Sequence, residues 1–258
     1  MSQRDGTRKR PWNGSTLAKL AWPQQPHYPS GPPWARTVLG SAIHRYLERW
    51  AQGERPIPLR TLYHSEVANQ HEVRYGKEQD ADNIVDLGER ILDACNTQLV
   101  ALFDAHEIIG CEVAFRFPLN GYWYDGSIDL VARCKQTGGL MLLDYKSGGT
   151  FHGEQIINEA APQHHLYALG CAYAVELSDK ARYVGDHELE WPGRDQYLPA
   201  LQEWPAGFTY LHLTTDGVVP WPAITPWSPM LASRLLIEHY TAAAVEARRQ
   251  EQLTLTGA

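Results

Sequence analysis

The chain has only four cysteines in 258 residues, Cys95, Cys111, Cys134 and Cys171, and no two of them stand in a C-x-x-C pair. Zinc ribbons and secreted disulfide scaffolds need paired or densely spaced thiols, so both are excluded and a reducing cytoplasm is the expected compartment. The thiols are scattered along the chain, and no iron–sulfur cluster is expected. No apolar run is long enough to span a bilayer, and the basic, proline-rich beginning lacks the apolar core of a signal peptide, so no membrane partner is expected. An excess of basic residues is missing too: 23 Lys and Arg face 30 Asp and Glu, a net charge of −7. A nucleic-acid partner would have to be met by a local patch or through metal ions. No Gly-rich Lys loop of the Walker type occurs, so any motor protein that works with this chain is a separate one.

What is present suffices for a substantial core. Hydrophobic residues make up 43% of the chain and nine are Trp, which suits one domain with elaborations. Residues 1–36 stand apart, with Pro11, Pro23, Pro26, Pro29, Pro32 and Pro33 among polar residues. That segment reads as partly irregular, with a short helix over residues 15–22, and residues 37–258 read as the folded domain. Its basic group Arg4, Arg8, Lys9 and Arg10 is a solvated tail or a contact to a phosphate backbone.

Within the domain, Leu39, Ile43, Leu47 and Trp50 recur at helical spacing and predict a helix over residues 37–52. Residues 54–77 show no clear period and read as a loop, and residues 78–105 as a long helix started by Asp80 or Asp82. Strands are expected over residues 111–118 and 122–134, flanking Asn120-Gly121, whose tolerance of positive φ suits a type I′ hairpin turn. A helix over residues 154–177, interrupted or begun afresh near Pro162, leads to strands at 181–191 and 208–214. Trp191, Trp204, Trp221 and Trp227 lie in proline-rich loops, where such rings pack beneath the loop more often than they stack on bases. Residues 230–249 close the chain as an amphipathic helix.

The chemistry concentrates in Gly126 to Gly148, GSIDLVARCKQTGGLMLLDYKSG. Two apolar runs flank Thr137, Gly138 and Gly139, so the stretch is a β-hairpin with Asp129 in one strand and Asp144 in the other. Buried strands rarely carry unpaired carboxylates, because a charge taken out of water costs several kcal/mol without a partner. A cation is expected between them. Alternation puts Asp144 and Lys146 on one side and turns Tyr145 away, leaving its carbonyl near the charges. Two acids, a carbonyl and an ammonium are what metal-assisted phosphodiester cleavage uses: oxygen ligands for a hard divalent ion, and a cation to orient water or stabilise the phosphorane. An isolated Asp-x-Lys, by contrast, is an ordinary ion pair.

Asp129 followed by Asp144-Tyr145-Lys146 resembles the motif of the PD-(D/E)xK nuclease superfamily, with Ile128 where the name has proline. Two more stretches extend the resemblance in the same order. Gly40-Ser41-Ala42-Ile43-His44-Arg45-Tyr46-Leu47-Glu48 is similar to the Gly-x-x-x-His-x-x-Leu-Glu helix of RecB-like nuclease domains, and Gln163-His164-His165-Leu166-Tyr167 to their Gln-x-x-x-Tyr motif. Ser15-Thr16-Leu17 is similar to the start of an N-terminal helix in those domains. The resemblance implies an α/β fold with a restriction-endonuclease-like mixed sheet flanked by the His44 helix and the Gln163/Tyr167 helix. It implies metal-dependent DNA hydrolysis by a RecB-like exonuclease in repair, recombination or phage DNA processing, alongside a separate helicase or recombination partner. His44, Asp129, Asp144 and the Tyr145 carbonyl would hold Mg²⁺ or Mn²⁺, and Lys146 would act on the water. Gln163 and Tyr167 would support the site or the substrate. Glu48, one turn beyond His44, is a ligand or a partner for its imidazole; Glu112 is a ligand or pairs with Arg116 or Arg133. His164 and His165 are expected at the surface or facing DNA. The other reading is a nuclease-fold subunit that binds or assembles but does not cleave.

Overall fold

The computed structural model describes residues 32–77, 79–147, 161–174 and 203–220, with 183–184, 187–188, 237–238, 241–246 and 249. The expected helix at residues 15–22, the basic group Arg4 to Arg10, residues 154–160, Trp191, Trp221 and Trp227 lie outside the described residues.

Three helices come first: α1 (Ala35–Ala51), α2 (Leu59–Ala68) and α3 (Ala81–Ala105). Asp80 caps α3, its carboxylate accepting from the Asn83 N–H at 2.8 Å and satisfying an N–H that the first turn leaves open. Helix α2 overturns the loop expected over residues 54–77. Leu59, Leu62, Tyr63 and Glu66 are its buried positions, spaced i, i+3, i+4, i+7, with Pro58 fixing the backbone at its start. Its stripe of about two turns is too short to stand out beside the polar residues around it.

Strands β1 (His106–Leu119), β2 (Tyr122–Cys134) and β3 (Leu140–Ser147) follow as an antiparallel meander. Asn120 and Gly121 form the turn with φ of 50° and 79°, the positive pair of a type I′ hairpin. After α4 (Ala161–Tyr173) and a two-stranded ladder of β4 (Tyr183–Val184) and β5 (His187–Glu188), β6 (Gly207–Thr214) returns parallel to β3, and β7 (Gly217–Pro220) closes the edge. The ladder corrects the expectation of one strand at 181–191 within the main sheet. Strand order is β1-β2-β3-β6-β7, a mixed five-stranded sheet with β3 at its centre.

Helices α1, α2 and α3 pack on one face around Leu39, Ile43, Leu47, Val85 and Leu143. On the other face, α4 packs with Phe115, Phe117, Tyr124 and Phe208, joined by Ile237 and Ala244 from the described helical positions of the expected C-terminal helix. Trp204 is half-buried against that second core. No helix among the described residues is long and apolar enough to cross a membrane.

Candidate metal and phosphate site

Strands β2 and β3 stay paired from Arg133–Leu140 to Leu130–Leu143 and then part. Beyond that point β2 continues beside β1 and β3 beside β6, so Asp129 and Asp144 face each other across the mouth of a fork. The fork frees the Tyr145 peptide group from the ladder, and buried backbone groups demand partners. Its N–H donates to Asp129 Oδ2 at 2.8 Å, and its carbonyl accepts from His44 Nε2 at 2.9 Å.

Because a carbonyl only accepts, His44 carries its proton on Nε2, and Nδ1 turns towards the carboxylates. It lies 3.4 Å from Asp129 Oδ2 and 3.5 Å from Glu112 Oε1. His44, Glu112 and Asp129 thus converge, each offering one ligand atom within 4.8 Å of the others. Three acceptor atoms aimed at one another repel unless a cation lies among them, either a proton on Nδ1 or a metal ion. An imidazole nitrogen with carboxylate oxygens is a donor set that fits a divalent metal ion.

Glu112 reaches the group through a break in the sheet. Cys111 pairs with Leu130 and Val113 with Ile128, so Glu112 and Asp129 stand opposite each other between those pairs. Cys111 and Leu130 pack in the core beneath the three helices, whereas Val113 and Ile128 pack in the opposite core. The ladder changes faces across the two acids. Glu112 makes the change with φ 48°, a region that costs a residue with a Cβ about 1–2 kcal/mol. Its other oxygen accepts from Ser127 Oγ at 3.3 Å. Of the arginines considered as its partners, Arg116 is bonded to Asp125 and Arg133 to Glu203.

Asp144 is 1% exposed and ion-paired with Lys146. Burial, then the charge of Asp129, push its carboxyl up to about 6 despite the opposing pull of Lys146 and His44. An acid so reluctant to ionise beside a second carboxylate again marks a place short of positive charge. Lys146 also lies over the Tyr210 ring, 5.3 Å from its centroid. A column of aromatic contacts runs beneath it: Tyr210 meets Phe208 at 4.7 Å, and Phe208 meets Tyr167 at 6.2 Å.

Tyr167 is therefore a core ring, 5% exposed, whose path to the site runs through that column. Gln163 lies in the first turn of α4, and its side chain is outside the described residues. His165 corrects the expectation of a surface histidine: it is buried, and burial pushes its imidazole down to about 4. Glu48 does not join the three-residue group. It is half-buried and near enough to Cys111 to add to the effect of burial, which pushes that thiol up to about 12. The face change at Glu112 and the aromatic column were missed from sequence. A strand's regular alternation carries no mark of the first, and the second joins residues far apart in the chain.

The sequence profile of the PD-(D/E)XK nuclease superfamily matches residues 15–215. No curated protein matches the chain. Among solved structures, the crystal structure of SSO0001 is similar at 14% identity over 88% of this chain and 84% of that one, with a TM-score of 0.33.

Proposed function

Since the chain belongs to the PD-(D/E)XK nuclease superfamily and its α/β sheet is of the restriction-endonuclease-like type, we propose that it hydrolyses DNA phosphodiester bonds at the fork, with Mg²⁺ or Mn²⁺. The observation that carries this reading is the convergence of His44, Glu112 and Asp129 on one point, beside the Asp144–Lys146 pair. His44 Nδ1, Glu112, Asp129 and Asp144 would hold the ion, with the Tyr145 carbonyl fixing the imidazole or joining the set. When bound, the ion supplies electrophilic polarisation of the phosphoryl oxygen and a more acidic water.

The protein's own groups do the rest. His44 is held by the Tyr145 carbonyl, so its lone pair is aimed before any ligand arrives. Lys146, steadied by Asp144 and the Tyr210 face, holds its ammonium where an attacking water or a developing phosphorane oxygen is stabilised by N–H donation. Tyr167 acts as site support through the aromatic column rather than as a substrate contact, and Gln163 on the same helix is assigned to the same support. Glu48 acts on the flank of the group and not as a ligand.

Finer features extend the proposal: a RecB-like, end-dependent exonuclease, working in the cytoplasm in repair, recombination or phage DNA processing beside a separate helicase or recombination partner. Residues 37–258, together with the start of α1 at Ala35, form its nuclease domain, and the residues before them an appended segment. The test is digestion of end-labelled linear DNA beside closed circular DNA, each with Mg²⁺ or Mn²⁺. Loss of the linear form with survival of the circle is the expected result. Cleavage of both reassigns the chain as an endonuclease, and cleavage of neither overturns the hydrolytic reading.

A further inference from the structure

We infer that Trp34 and Arg36, at the head of α1, hold a single-stranded segment of the nucleic acid a few nucleotides from the fork; this rests on the nuclease reading above. Trp34 is 47% exposed, the most exposed of the large hydrophobic side chains among the described residues. An indole left in water at that level is a ready stacking surface, since every base has a π-face.

Its position is fixed. Trp34 forms a parallel bridge with Arg74, the Arg74 N–H donates to the Pro33 carbonyl at 2.9 Å, and the Ala35 N–H donates to the Arg74 carbonyl at 2.8 Å. The ring therefore stands on braced backbone rather than on a free end.

Charge in this stretch of chain is of the right sign. Residues 32–77 hold seven Lys and Arg against four Glu, in a chain whose total is −7. Arg45, Arg49 and Arg60 are committed to Glu66, Glu54 and the pair Asp82 and Asp86. Arg36 is exposed and forms no ion pair among the described residues, and no acid lies in the first turn of α1.

The helix then relates this corner to the site. Arg36, Gly40 and His44 follow at four-residue steps along one side of α1. Gly40 lies so close to the end of β3 that a Cβ there would stand 3.3 Å from Ser147 Oγ, and His44 reaches the Tyr145 carbonyl. At the helical rise, Arg36 is about 12 Å from His44 along the axis. A strand whose phosphate enters the fork can on this path run its neighbouring phosphates past Arg36, and Trp34 stands two residues before Arg36 in the chain. Within a duplex the bases stay stacked on each other and only the terminal pair shows a face, whereas a single strand can offer one at every position.

Fluorescence anisotropy of the full chain in chelator, with a labelled oligothymidylate and a labelled blunt hairpin duplex, tests this. Trp34→Ala should weaken oligothymidylate binding about five-fold or more, the lower range for losing one base–aromatic stack. Its effect on the duplex, which has a single open terminal pair, should be clearly smaller, and Trp34→Tyr should restore most of the loss. Arg36→Gln should lower the slope of log affinity against log salt on the single strand by about 0.7, one phosphate contact. Wild-type affinity of Trp34→Ala for the single strand overturns the inference, as does an equal loss on both probes or no strand binding by the wild type. Linear-DNA cleavage in Mn²⁺ is read separately. Binding through Trp34 without any cleavage sinks the nuclease reading alone, and cleavage with a silent Trp34→Ala sinks the docking corner alone.

Discussion

Glu112 and Asp129 stand opposite each other at the point where the β1–β2 ladder passes from one core to the other, and Glu112 takes φ 48° to do so. Strain of this kind persists where surrounding structure over-determines it, and it gathers at functional sites. Glu112→Gly separates the two roles of the residue. Relief of about 1–2 kcal/mol of backbone strain is set against about 0.5–1 kcal/mol for the looser unfolded chain, and one carboxylate leaves a repelling group. The variant should melt in chelator at or above the wild-type temperature while binding Mn²⁺ more weakly by calorimetry. A marked drop in melting temperature would show that the carboxylate holds the fold together.

Lys146→Ala and Asp129→Ala should fail in different ways. Asp129→Ala removes a charged oxygen, so Mn²⁺ affinity and cleavage should fall together. Lys146→Ala removes no ligand and relieves like-charge repulsion, so affinity should hold or rise while the rate falls by roughly two orders of magnitude. Cleavage by Lys146→Ala at the wild-type rate would remove the lysine from the mechanism.

Asp144 gives the metal-free protein a pH dependence of defined sign. Its folded carboxyl is raised to about 6, above the value near 3.9 of an unfolded chain. Between those values the folded state binds more protons, so its contribution to stability is fullest at the acid end and is lost as pH rises through about 6. His165 runs the other way: its imidazole is pushed down to about 4, so its contribution is present above about 6.5 and lost as pH falls through about 4. In chelator, Asp144→Asn should remove the part of the melting-temperature slope that declines towards neutrality. Superimposable wild-type and Asn profiles would show that Asp144 ionises normally.

Arg116 is 1% exposed and bonded to Asp125 at 3.0 Å, and burial still raises the Asp125 carboxyl. Arg116→Met strands that acid and should cost about 3–5 kcal/mol in urea unfolding; adding Asp125→Leu should recover much of the loss. Additive losses in the double variant would mean that the two do not act as a pair.

How far the sequence was legible follows from where its information is local. The β2–β3 hairpin, the Asn120-Gly121 turn and α3 could all be read because their signals lie within a few residues, although the sequence left Asp80 and Asp82 open as its cap. Helix α2 could not, since its stripe spans only Leu59 to Glu66 and is recognised as buried once α1 and α3 are packed against it. Strand β7 was missed because its four residues carry little periodicity and are defined by pairing with β6. In the site, the spacing of Asp129, Asp144 and Lys146 showed the two strands but not that they part at Leu130 and Leu143. Nor did it show that Glu112, seventeen residues before Asp129, would stand across from it.

The Tyr145 peptide is gripped from both sides by the groups around it, its N–H by Asp129 and its carbonyl by His44. The site consequently has no slack: neither the imidazole nor the carboxylate can be re-aimed without tugging on the main chain of the strand that carries Asp144 and Lys146. An ion held by His44 Nδ1 and Asp129 would share its ligands with the two hydrogen bonds that grip this peptide, one residue from the Lys146 ammonium. Exchange of the Tyr145 amide hydrogen is then a gauge of occupancy, read on the backbone without any turnover.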